Sequence, residues 1–156
     1  MLFMLSIKFG YGLSYTNFTY SNLTLSSASF NGKLTATLTV TNTGKVAGKE
    51  VVQLYISAPS KKLAKPLEEL KAFAKTASLQ PGKSETIKFV IDANDLASFD
   101  TKTTAWIAEA GRYTVKAAAS SADIRKTAVF QLSKDIVTEK CNKVLVPQVE
   151  INELKK

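Results

Sequence analysis

Apolar and polar residues alternate at every second position through most of the chain. "KLTATLTVTNTG" puts Leu34, Ala36, Leu38 and Val40 on one face and threonines on the other. That is the pattern of a half-buried antiparallel strand ending in an Asn-Thr-Gly turn. "KEVVQLYIS" puts Val52, Leu54 and Ile56 on one face, with Val51, Gln53 and Tyr55 opposite. "SETIKFVID" alternates Ile87, Phe89 and Ile91 after a turn at Gln80-Pro81-Gly82. "TTAWIAEAGRYTVKAAA" reads as two strands joined at Glu109-Ala110-Gly111, the second carrying Tyr113, Val115 and Ala117 inward. "RKTAVFQLS" alternates Ala128, Phe130 and Leu132. Near the start, Phe18 and Tyr20 share one parity while Leu23 and Leu25 share the other, which a bulge at Ser21-Asn22 would reconcile. About seven short strands with turns between them, and no long helical period, predict an all-β, immunoglobulin-like antiparallel sandwich. A closed barrel is the second reading.

Three segments exceed a minimal sandwich, which is set at residues 18–133. Residues 1–17 form a lead rich in aromatics. Residues 58–75, "APSKKLAKPLEELKAFAK", form a long connection, partly amphipathic, in which Pro66 can open a short helical turn. Residues 134–156 form a tail carrying Ile136, Val137, Val144, Leu145, Val146, Val149, Ile151 and Leu154. That apolar content needs a surface to lie on and reads as a docking tail.

Composition removes several kinds of chemistry. The 156 residues contain no histidine and one cysteine, Cys141, which excludes a Cys–His pair and an internal disulfide. No run of eighteen apolar residues is present, so no membrane span is expected. The opening MLFMLSI lacks a basic lead and a cleavage site and reads as an arbitrary or truncated start rather than a signal. The net charge is +8, but of 21 basic residues only Arg112 and Arg125 are arginine, the side chain suited to bidentate readout. A solvated lysine-rich surface is therefore expected, not a nucleic-acid partner. The acidic cluster "DANDLASFD" has neither the glycine nor the closing glutamate of a calcium loop. It reads as a strand end followed by a helical turn capped by Asn94 or Asp95. In "SSADIR", Asp123 is expected to cap amides or pair with Arg125. Trp106, inside a strand, is expected in the core rather than on a sugar-stacking face. Asn17-Phe18-Thr19 and Asn22-Leu23-Thr24 fit the glycosylation sequon.

Six stretches occur in one order: "FGYGLSYTNFTYSNL", "VTNTGKVAGKEVVQLYISAP", "KPLEELKAF", "LQPGKSETIKFVI", W-x-x-E-x-G-x-Y and "SSADIR". From about Phe9 to Leu132 the set closely resembles the C-terminal fibronectin type III-like domain of family 3 glycoside hydrolases, the β-glucosidase and β-xylosidase family. The tail "EKCNKVLVPQVEINELKK" is similar to the end of bacterial members, while Lys8 stands where the family usually has a proline. The resemblance implies a non-catalytic domain that follows a (β/α)8-barrel bearing the aspartate nucleophile and an α/β sandwich that often supplies the acid/base. It assigns no catalytic, cofactor-binding or metal-ligating residue here. It implies the catalytic domains as partner in cis, and a family commonly periplasmic or secreted in bacteria. It also places "FGYGLSY" at the handover between domains, so Phe9, Gly10, Tyr11, Gly12, Leu13 and Tyr15 are the expected docking residues. The glycines would let the backbone bend and approach closely. A free-standing carbohydrate-binding module using Tyr11, Tyr15, Tyr20 and Trp106 is the alternative. A charge-driven binder of acidic polymers is the third reading.

Overall fold

The computed structural model describes residues 8–142 and 144. Expectations for residues 1–7 and for Leu145, Val146, Val149, Ile151 and Leu154 lie outside the described residues. The described chain forms ten strands and one helical turn: β1 (Phe18–Leu25), β2 (Lys33–Asn42), β3 (Val51–Ser57), β4 (Glu69–Lys75), β5 (Ser84–Asp92), α1 (Ala93–Leu96), β6 (Ser98–Asp100), β7 (Ala105–Ala108), β8 (Gly111–Ser120), β9 (Asp123–Leu132) and β10 (Ile136–Lys140).

Seven of these strands make the sandwich. One sheet has the order β1-β2-β5 and the other β4-β3-β8-β9, with every pairing antiparallel. Period-two patterning dictates which side faces in. Leu34, Ala36, Leu38 and Val40 of β2 are buried against Val52, Leu54 and Ile56 of β3 and Tyr113, Val115 and Ala117 of β8 in one core. Tyr113 stacks on Phe130 with ring centroids 5.1 Å apart. The bulge in β1 falls where the parity change requires it: the register shifts between Ser21 and Thr24, and Asn22 takes a φ of 55°. The shift lets Leu23 and Leu25 pack on the same core as Phe18 and Tyr20.

Three expectations need correction. The 58–75 connection contains no helical turn; from Glu69 it is strand β4, with Ala72 and Ala74 packed on the core. Its period is two rather than 3.6, and pairing with β3 decides the outcome. The cap of α1 is Asp92: its carboxylate accepts from the amides of Asn94 and Asp95, and the Asp95 carboxylate accepts from the Asp92 amide. This is a reciprocal capping box whose cap lies two residues before Asn94, the earlier of the two expected positions. Trp106 is not in the core but 41% exposed, because β7 pairs with β6 and β10 rather than with a strand of the sandwich.

A third small sheet, β10-β7-β6, is added to the sandwich. Residues 136–140 thus fold back onto β7, with Ile136 packed against the core. The 58–68 loop is clasped to the β7–β8 turn by a buried ion pair. Lys65 Nζ lies 2.9 Å from Glu109 Oε2, and the two side chains are 1% and 2% exposed. The Lys62 amide donates to Glu109 Oε1 (2.8 Å), and the Tyr113 hydroxyl donates to the Glu109 carbonyl (2.8 Å). Asp135 accepts from the Ala110 amide and pairs with Lys62 at the rim.

Candidate docking surface

The aromatic lead runs over the outer face of the four-stranded sheet. A row of register partners, Phe73, Gln53, Ala118 and Ile124, crosses that sheet on β4, β3, β8 and β9. Gln53 is buried although it sits on the side away from the core, because the lead covers it. Its Nε2 donates to the Gly10 carbonyl (3.0 Å) and the Ala119 carbonyl (3.2 Å), and its Oε1 accepts from the Tyr55 hydroxyl (2.6 Å). The Ser121 amide donates to the Phe9 carbonyl (2.9 Å). A Cβ on Gly10 would lie 2.2 Å from Gln53 Nε2, and Gly10 has a φ of +73°. Glycine is thus required at this position twice over, by conformation and by contact. At Gly12, by contrast, a Cβ would meet nothing within 4 Å.

The far end of the lead is anchored by Thr16. Its hydroxyl donates to Asn42 Oδ1 (2.8 Å). Asn42, wholly buried, also accepts from the Gly44 amide (3.0 Å) and donates to the carbonyls of Val46 (2.8 Å) and Leu79 (2.7 Å). The lead is held at Phe9 and Gly10 and again at Thr16, and its large side chains are exposed. Phe9 and Tyr11 are about two-thirds exposed, Leu13 is 90% exposed and Tyr15 fully exposed. Nearby on the same sheet, Val51, Leu70, Phe73, Ile124 and Val129 are exposed as well.

Under the lead lies a groove of about 380 Å³ whose floor carries charge. Arg125 donates to the Phe18 carbonyl (2.7 Å), pairs with Asp123 (2.9 Å) and sits 4.7 Å above the Tyr20 ring. Tyr20 donates to Glu50 Oε1 (2.9 Å). Burial pushes the Glu50 carboxyl up, and the Tyr20 hydroxyl and Arg125 oppose this without cancelling it. Burial and the neighbouring Glu50 push the Tyr20 hydroxyl far up, so it remains a neutral donor. The expected Asp123–Arg125 pair is therefore present, joined to Tyr20 and Glu50. No cluster of metal-ligating side chains occurs among the described residues, and no helix among them is long and apolar enough to cross a membrane.

The sequence reading missed Gln53, Thr16, Asn42 and the Lys65–Glu109 pair. Only Gln53 carried a local signal, an amide set within "VVQLYI". The others are polar residues whose burial depends on segments far along the chain.

Gly10→Ala is expected to loosen the lead without unfolding the sandwich. The left-handed conformation costs a non-glycine residue about 1–2 kcal/mol. Exchange of the Ser121 amide, which donates to Phe9, should speed up about tenfold, while the urea midpoint changes little.

Comparison with known proteins agrees with this architecture. Residues 50–121 match the family described as Fibronectin type III-like domain. Together with the three-plus-four sandwich, the match defines the chain as a fibronectin type III-like domain. More particularly, the curated relatives and solved structures it resembles are β-glucosidases, and it matches one part of each. It is 44% identical to Beta-glucosidase BoGH3A of Bacteroides ovatus over 79% of this chain and 17% of that protein. It is 41% identical to Beta-glucosidase A of Butyrivibrio fibrisolvens over 89% of this chain and 19% of that protein. Among solved structures, β-glucosidase 3B from Thermotoga neapolitana superposes with a TM-score of 0.79 at 45% identity, over 84% of this chain and 18% of that one. The chain thus spans less than a fifth of the length of these relatives.

Proposed function

We propose that this chain is a non-catalytic accessory domain that buttresses the catalytic domains of a family 3 β-glycosidase, docking through residues Phe9, Gly10, Tyr11, Gly12, Leu13 and Tyr15. One observation carries the reading. The lead is fastened at Phe9 and Gly10 and at Thr16, yet presents four large apolar side chains to solvent. Monomeric soluble proteins rarely expose contiguous apolar surface on this scale unless another surface covers it. Interfaces between domains of one chain commonly bury about 600–1,500 Å², and the lead with the sheet face beneath it provides a continuous platform for such a contact. The partial coverage of full-length β-glucosidases fits a domain that works within a larger enzyme. No paired carboxylates are assigned to glycoside cleavage in this chain.

The test has two arms. The chain alone should release no more aryl β-glucoside product than a mock preparation. Mixed with a Thermotoga neapolitana β-glucosidase 3B truncated of its matching segment, the chain should raise the recovered activity. A Tyr11→Asp, Leu13→Asp double variant should fold with an unchanged unfolding midpoint and fail to do so. Hydrolysis by the chain alone, or equal rescue by the variant, would overturn the proposal.

A further inference from the structure

The exposure of Trp106 is not explained by the lead. Trp106 sits in the middle strand of the small third sheet, and its register partners on either side are Phe99 of β6 and Glu139 of β10. The three side chains therefore form one row across one face of that sheet. The Phe99 and Trp106 rings are in tilted contact, with centroids 5.6 Å apart, and both are about 40% exposed. Holding an indole against a second ring restricts its rotamers, so its exposed surface is already oriented before anything binds. Two hollows flank this aromatic ridge. One, of about 250 Å³, is lined by Trp106 with Asn94, Ala97, Thr138 and Glu139. The other, of about 380 Å³, is lined by Phe99 with Asp100, Thr101, Lys102 and the Lys62–Ala64 loop.

We infer that this ridge is a carbohydrate-binding site for a short oligosaccharide of glucose-type pyranoses. Sugars with equatorial hydroxyls leave their axial C–H bonds as flat apolar faces, which suit an exposed indole. Their rims need donors and acceptors at the edge of that ring. Here the Asn94 amide and the Glu139 carboxylate stand on one side, and Asp100, Thr101 and Lys102 stand on the other. Each hollow has the volume of one or two sugar rings, so a chain of two or more units lies across the ridge. The ordered frame supports this assignment. Asp100 accepts from the Lys102 amide (3.0 Å) and the Thr103 hydroxyl (2.7 Å), which fixes the β6–β7 turn. The Thr138 hydroxyl donates to the Trp106 carbonyl (3.4 Å), which ties β10 to β7 at the site. No lining residue belongs to the lead or to the four-stranded sheet, so this site is independent of the docking surface and stands whether or not that reading holds.

Trp106 is the only tryptophan in the chain, so its fluorescence reports this site without labelling. Titration of the full chain with cellotetraose should give a saturable change in emission and protect Trp106 from iodide quenching. Asn94→Ala and Glu139→Ala, both exposed and distant from the core, should each weaken the titration several-fold without moving the unfolding midpoint. Trp106→Ala, followed by calorimetry, should bind about tenfold more weakly or not at all. Absence of any emission change with cellotetraose and xylotetraose at millimolar concentration would overturn the inference. Full-strength calorimetric binding by Trp106→Ala would also overturn it, because the sugar would then lie elsewhere.

Discussion

Glu109→Ala is expected to lower the free energy of unfolding by about 3–5 kcal/mol, the usual cost of stripping one partner from a buried ion pair. Lys65 Nζ and Glu109 Oε2 have no hydrogen-bonding partner besides each other among the described residues. Removing the carboxylate therefore leaves a buried ammonium without its ion-pair partner, and also deprives the Lys62 amide of its acceptor. The clasp holding the 58–68 loop to the β7–β8 turn is lost with it. Replacing both charges should be milder. Lys65→Met with Glu109→Gln keeps an acceptor for Lys62 and removes the unpaired charge, so the double variant should lose less than Glu109→Ala alone. The pair also gives stability a pH dependence of definite sign. Burial raises the Glu109 carboxyl, but Lys65 and the Lys62 and Leu63 amides outweigh it, and the net shift is downward from 4.5. A depressed folded-state pKa means the stabilisation is complete above the ordinary value and is lost as pH falls through the lower folded one. Urea midpoints should therefore decline below about pH 4.5, and the decline should be shallower in Glu109→Gln.

Asn42→Ala should cost about 3 kcal/mol, from the partners it would strand in the interior. The Asn42 side chain makes four hydrogen bonds and is fully buried, joining the end of β2, the turn after it, the approach to β5 and the lead. Alanine leaves the Thr16 hydroxyl, the Gly44 amide and two carbonyls to find other partners. Asn42→Asp is no rescue, since it keeps the acceptor, loses both donors and buries a charge. Chemical denaturation reads the global loss. Faster exchange at Ser121 reads the accompanying release of the lead, because Thr16 holds its far end.

The sandwich was legible because its strands are patterned on one side only. Leu34, Ala36, Leu38 and Val40 alternate with threonines, and a one-residue slip would have exposed them all. The β1 bulge was legible for the same reason, as a change of parity at Ser21-Asn22. Strand β4 was misread because "LEELKAFAK" contains good helix formers, and its pairing with β3 lies outside any local window. Trp106 was misplaced because size suggested burial, whereas its strand pairs with β6 and β10 outside the sandwich, a partnership no local window shows. At the candidate docking surface, the aromatics were visible in "FGYGLSY". The devices that hold them were not. Gln53 and Gly10 are 43 residues apart, and Thr16 and Asn42 are 26 apart. A single sequence gives no sign of such pairs.

We propose that this domain acts as part of a larger β-glycosidase. Immunoblotting of source cells with antibody against this domain tests it most directly. The account predicts a band several times the size of a 156-residue chain, since the chain covers less than a fifth of its relatives. A single band at the size of 156 residues, with Tyr11 and Leu13 accessible to solvent in the native protein, would contradict it.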